Sequence, residues 1–262
     1  MLNILEGAGI VKPKTWCGGA DQMERSFAEA ARQKLDVLIV LGGDGTIRTA
    51  AEACLQDGLD LIPLPGGTMN MLPQALYGEA SWEDTLRNVL AAPVTKILSG
   101  GQVAKKRFFV AAVVGMPALW AQARESVREG DIVEVVEKGA VAFQRMFETK
   151  LRYVFSEHSN GEAAAVVLIC PLISKQMSDS EQALEAAAID VENAAQVVGL
   201  ATAAAFGKWR DDGRVLLAKT KCLTVQSSND MPATLDGENV SLGTSAEVNF
   251  LSQALTVLVP AR

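Results

Sequence analysis

Two short glycine loops, each closing an apolar run, constrain this chain more than any other feature. The stretch 35–77 reads LDVLIVLGGDGTIRTAAEACLQDGLDLIPLPGGTMNMLPQALY. Residues 37–41 form a continuous apolar run, the pattern of a strand buried on both faces. It stops at Gly42, Gly43, Asp44, Gly45 and Thr46. A helical stretch follows, with Ala50, Ala51, Cys54 and Leu55 on one face and Gly58 placed to end it. A second apolar run, 59–64, stops at Pro65, Gly66, Gly67, Thr68, Met69 and Asn70. Strand, loop, helix, strand, loop is a βαβ unit. Its two loops fall at the carboxyl edge of parallel strands, where open α/β sheets bind ligands. Glycines let backbone amides approach a phosphate, and a helix start adds its positive dipole end. Thr46, Thr68 and Asn70 are side-chain donors at the same place. An ionised Asp44 accepts only, so it suits a metal, a ribose hydroxyl or the loop's own amides.

The bounds of the chain narrow its chemistry. It has 262 residues, 49% of them hydrophobic, enough for one large domain or two modest ones. The net charge of −7 argues against a nucleic-acid partner held on a basic surface. Four cysteines, at positions 17, 54, 170 and 222, form no CxxC pair and read as reduced thiols of a cytoplasmic protein. No run reaches the ~18 apolar residues needed to span a bilayer, so a membrane role is expected to be peripheral. The single histidine, His158, lies in a polar segment that reads as a hairpin tip. Histidine-based triads and metal sites are therefore not expected. Acid–base chemistry must rest on carboxylates, lysine or tyrosine.

The spacing predicts helices opening at Asp21 with Glu24 and at Ser81 with Asp84, both capping-box patterns. From about residue 94 the character changes. Runs at 94–103, 107–114, 151–155, 163–170, 194–205, 215–226, 246–250 and 254–259 read as strands, with turn signals such as Asn160-Gly161 between them. Many strands with hairpin turns predict a sandwich. The expected organisation is an α/β nucleotide-binding domain over residues 1–93, then a mainly antiparallel β-sandwich over 94–262. A helical insertion is expected near 119–148, and Lys105, Lys106 and Arg107 read as a solvated hairpin turn.

GGDGT followed by PGGTMN resembles the diacylglycerol kinase catalytic family, which includes bacterial lipid kinases and sphingosine kinases. Leu235-Asp236-Gly237-Glu238 is similar to that family's Asp-Gly-Glu signature. GGDGT alone is shared with NAD kinases and phosphofructokinases; the late Asp-Gly-Glu favours a lipid kinase. The resemblance implies a three-layer, mostly parallel first domain. It implies ATP and Mg²⁺ as cofactors, and a diacylglycerol-like lipid alcohol at a membrane surface as substrate. It implies that Gly42, Gly43, Asp44, Gly45, Thr46, Gly66, Gly67, Thr68 and Asn70 hold the nucleotide. By the same resemblance Glu238 takes the hydroxyl proton and Asp236 helps place it.

The chain departs from the family pattern at several points. Thr49 stands where the family often has Glu, and Met71 where it often has Asp. Ala186 takes the place of the Asp expected in a structural Mg²⁺ motif, so no metal ligand is carried over. The family's first strand, ending in an Asn-Pro-x-Ser-Gly loop, has no counterpart ahead of residue 10. The expectation is weaker phosphate binding and an exposed sheet edge open to self-association. The alternatives are an NAD kinase-like small-molecule kinase, or a degenerate member that binds nucleotide or lipid without turnover.

Overall fold

The computed structural model describes residues 1–33, 35–115, 150–155, 159–192, 196, 199–200, 203 and 208–261. They divide into two compact units, Met1–Gly100 with Ser252–Arg262, and Gly101–Leu251. A single division at residue 93 thus becomes two crossings, because the chain end returns to the first unit. The return has a physical anchor. Val257 pairs in parallel with Leu61, and the Tyr77 hydroxyl donates to the Leu258 carbonyl at 2.8 Å.

The first unit is α/β. Strands β1 (Val37–Gly42) and β2 (Asp60–Pro65) pair in parallel, Val37 opposite Asp60 through Gly42 opposite Pro65. Between them runs α3 (Asp44–Asp57), which ends at Gly58 in the left-handed conformation, φ 70°. Ala50, Ala51 and Cys54 of α3 are buried, as the spacing predicts. On the other side Ile62 and Leu64 pack with Leu5 of α1 (Leu2–Gly7) and with Leu86 and Val89 of α5 (Trp82–Ala91). Ser81 caps α5, its hydroxyl accepting from the Asp84 amide at 3.1 Å. Two expectations change here. Helix α2 (Ala20–Ala31) starts after Gly19, so Asp21 sits in its first turn rather than at the cap. Strand β1 ends its sheet among the described residues, and its burial alternates, with Leu41 41% exposed. An apolar run reads as doubly buried, but here one edge lacks a neighbouring strand.

The second unit is antiparallel. One sheet has the order β10 (Val215–Thr220), β9 (Leu184–Ile189), β8 (Ala165–Ile169), β5 (Ala111–Gly115), β12 (Pro232–Leu235), β13 (Glu238–Ser241). Opposite it, β11 (Cys222–Gln226) pairs with β14 (Ser245–Pro260) and β6 (Leu151–Phe155), and β6 pairs with β7 (Ser159–Ala163). Leu168, Ala186 and Leu235 from the first face meet Tyr153, Leu223 and Val225 from the second in one core. The expected sandwich is present. A hairpin joins β3 (Pro93–Val103) to β4 (Lys106–Phe108), with Lys105 and Lys106 exposed at its tip.

Several strand boundaries differ from the sequence reading. The run 215–226 is two strands in different sheets, broken at Lys221. The two final runs are one strand of 16 residues. Within 194–205 the described residues Gln196, Gly199, Leu200 and Ala203 are helical, since alanine-rich sequence carries the better helix propensity. Asn160 and Gly161 lie inside β7 rather than in a turn. The 119–148 insertion and His158 lie outside the described residues.

Candidate functional site

The two glycine loops of the first unit lie against each other. The Gly66 amide donates to the Gly42 carbonyl at 3.0 Å. A Cβ on Gly67 would stand 2.5 Å from the Gly43 Cα, and one on Gly66 would stand 2.8 Å from the Gly42 nitrogen. Parallel pairing of β1 with β2 brings the loops to one edge, and only glycine allows backbone this close. Gly42 has a second reason to lack a side chain. Its Cβ would lie 2.7 Å from the Thr46 Cβ, so Thr46 occupies the space over the strand end.

Asp44 ties the loops together. It is the first residue of α3, and its carboxylate accepts from the Met71 amide at 2.8 Å. Met71 opens α4 (Met71–Tyr77), whose cap Asn70 is left-handed at φ 48°. Of the roles open to Asp44, the structure therefore shows the loop's own amides. The Asn70 side chain also serves the loop. Its Oδ1 accepts from the Gly67 amide and its Nδ2 donates to the Gly67 carbonyl, each at 2.7 Å. Thr68 is exposed at the loop tip, and Gly43, Gly45 and Thr46 are half-buried. The first-turn amides of α3 have no intrahelical acceptor and carry the dipole's positive end. With the glycine backbone they form a surface of N–H donors suited to phosphate oxygens.

Asp236 and Glu238 belong to the second unit. Leu235 pairs with Glu238, and Asp236-Gly237 is the two-residue turn between β12 and β13. Both turn residues have positive φ, 49° and 88°, as a type I′ hairpin requires. Asp236 is buried, and its carboxylate takes three backbone amides. Oδ2 accepts from Phe109 at 2.7 Å, and Oδ1 from Val110 and Ala111, both at 2.9 Å. A carboxylate so committed is poorly placed to accept a substrate proton. It clamps the turn to the start of β5 and sets where Glu238 leaves it. Glu238 is half-buried at the head of β13. Beneath the turn, burial pushes the Cys170 thiol well above its ordinary value of 9.0, and the Asp236 charge adds to this.

Sequence reasoning missed two supports of this arrangement, the Met71 amide and the three amides at 109–111. Backbone donors leave no residue-type signal. Of the stretch 184–190, residues 184–189 are buried strand β9, where Glu185 pairs with Arg210 at 2.5 Å and accepts from the Ser174 hydroxyl. Among the described residues no group of three potential ligands could hold a metal ion. No described helix is long and apolar enough to cross a membrane.

Residues 3–101 match the diacylglycerol kinase catalytic domain. The whole fold resembles solved structures from Bacillus anthracis str. Sterne. A candidate diacylglycerol kinase is 15% identical, with a TM-score of 0.72 over 98% of this chain and 89% of that one. A second structure, described as of a diacylglycerol kinase, is 14% identical, with a TM-score of 0.64 over 93% and 83%. At these identities the likeness is one of fold: an α/β unit followed by an antiparallel β unit. Both glycine loops fall inside the stretch 3–101, which is similar to the diacylglycerol kinase catalytic domain.

Proposed function

We propose that this protein is an ATP-dependent lipid kinase that phosphorylates the hydroxyl of diacylglycerol or a similar long-chain alcohol. The observation that carries the reading is the contact of the two glycine loops, Gly66 N–H to Gly42 carbonyl at 3.0 Å, with Asp44 joining α3 to Met71. Phosphoryl transfer needs oriented donors for a triphosphate and a base for the attacking hydroxyl. The amides around Gly43, Gly45 and Thr46 serve the first need. Glu238 serves the second, with Asp236 as its positioning residue.

Mg²⁺ fits this donor set as a nucleotide-borne ion. Such an ion needs only one or two protein carboxylates beside the phosphates, and Asp44 stands at the loops to supply one. When bound, it neutralises charge on the phosphate oxygens. The lipid reaches the protein at a membrane surface; no described helix is long and apolar enough to cross a membrane.

The test is transfer of labelled phosphate from ATP, offering diacylglycerol and other lipid alcohols in mixed micelles and NAD separately. The reading expects labelled phospholipid and no labelled NADP. Labelled NADP would favour the small-molecule kinase. No product from any acceptor, with nucleotide binding intact, would favour the non-catalytic member.

A further inference from the structure

The sheet that carries the Asp236 turn holds a second buried carboxylate in the same cross-strand row. Glu185 of β9 stands opposite Ile169 of β8, and Ile169 stands opposite Ala111 of β5. The Asp236 amide donates to the Ala111 carbonyl at 2.9 Å, so the row ends at the turn. Leu184 and Ala186 lie in the sandwich core, and alternation points Glu185 between them to the sheet's other face. Three strand spacings separate Glu185 from Asp236, roughly 14 Å, too far for direct contact.

The segment that follows β8 bridges the gap. Asp236 Oδ1 accepts from the Val110 amide at 2.9 Å. The Val110 carbonyl accepts from the Cys170 amide at 2.9 Å, and the Cys170 carbonyl from the Ser174 amide at 3.0 Å. The Ser174 hydroxyl then donates to Glu185 Oε2 and accepts from the Gln176 amide at 3.1 Å. Val110, Cys170 and Ser174 are all buried, so water does not compete along this path. Arg210, in the short helical turn Trp209–Asp211, holds Glu185 from the far side. Its Nε and Nη2 donate to the two carboxylate oxygens at 2.5 and 3.0 Å, and its guanidinium stacks on the Trp209 ring at 4.4 Å. The side chains of Arg210 and Glu185 are only 12% and 4% exposed. Desolvation offsets most of the attraction in such a pair, and apolar residues of like volume are often as stable there. What a two-pronged guanidinium adds is a fixed carboxylate orientation.

We propose that Glu185 and Arg210 are positioning residues for the turn that carries Glu238. The ion pair orients the carboxylate that Ser174 binds. Ser174 fixes the segment 170–174, and that segment holds the Val110 peptide, whose amide Asp236 grips. The geometric part of this inference stands on the hydrogen bonds alone. The part that concerns turnover rests on the reading of Glu238 as the base.

Two variants of the full chain test it. Glu185→Leu with Arg210→Met replaces the ion pair by apolar groups of similar size. Ser174→Ala cuts the path and leaves the pair in place, a milder change that decides the matter if the double variant does not fold. Amide hydrogen exchange resolved by residue is read at Val110 and Ala111, which donate to Asp236. Leu223 and Val225 of the opposite sheet are the internal reference. In both variants Val110 and Ala111 are expected to exchange at least about tenfold faster, with the reference pair unchanged. In phosphate transfer, kcat is expected to fall by about tenfold with the KM for ATP unchanged, as for a group that acts on the chemical step and not on nucleotide binding. Unchanged exchange at Val110 and Ala111 overturns the proposal. So does an equal rise at Leu223 and Val225, which would make the role one of global stability, and so does an unchanged kcat beside faster exchange. If the parent chain transfers no phosphate, the kinase reading is what fails, and exchange alone decides whether the pair positions the turn.

Discussion

At the residue scale, Asp236 and Glu238 stand two positions apart and have separable roles. Glu238→Gln keeps shape and removes the charge. If Glu238 is the general base, turnover is expected to fall by on the order of 100-fold or more, with the melting temperature unchanged. Unchanged turnover would reassign the base. Asp236→Asn is expected to act differently, because an amide nitrogen would face one of the donors at 109–111. A lost charged acceptor of this kind costs about 1–3 kcal/mol, readable as a lower denaturant midpoint. Cys170 carries a pH prediction. Its folded thiol titrates above the unfolded one, so the native state holds the proton more tightly. Its contribution is therefore complete below the ordinary value of 9.0 and is lost as pH rises past it. Denaturation across that range should show stability falling with pH, and Cys170→Ala should flatten the fall.

At the scale of elements, two glycines of the first unit are constrained for different reasons. Gly67 faces backbone, with the Gly43 Cα 2.5 Å from a hypothetical Cβ. Gly67→Ala is expected to part the loops and weaken Mg-ATP binding by about tenfold or more in calorimetry, equivalent to ~1.4 kcal/mol. Gly58 faces open space, but its φ of 70° ends α3. Gly58→Ala should cost about 1 kcal/mol of stability and leave nucleotide affinity as it was. Equal effects on affinity would mean that loop contact is not what shapes the binding surface.

For the whole molecule, the double crossing of the chain makes a testable claim about folding. Residues 252–262 supply the strand beside β2 and the carbonyl that holds Tyr77. Burial raises the Tyr77 hydroxyl pKa, so that group stays protonated and donating. Residues 1–100 produced alone are expected to unfold at lower temperature than the same residues joined to 252–262 by a flexible linker. Circular dichroism melts would decide it, and coincident curves would show the returning strand to be dispensable.

The sequence by itself determined the order of elements in the first unit and the loops that close its strands. Those features are local: an apolar run, a glycine stop, helical spacing over Ala50, Ala51 and Cys54, and a cap at Ser81. The Asp236-Gly237 turn is local in the same way, because a two-residue hairpin with positive φ favours those residue types. What only the tertiary structure decided is where those pieces spend their hydrogen bonds. Asp44 turned to Met71, Asn70 to Gly67 and Asp236 to three amides at 109–111, all backbone groups that every residue type offers alike. The apolar run of β1 did not by itself reveal its edge position. An apolar run reads the same whether two strands flank it or one, and only pairing over long sequence distances distinguishes them.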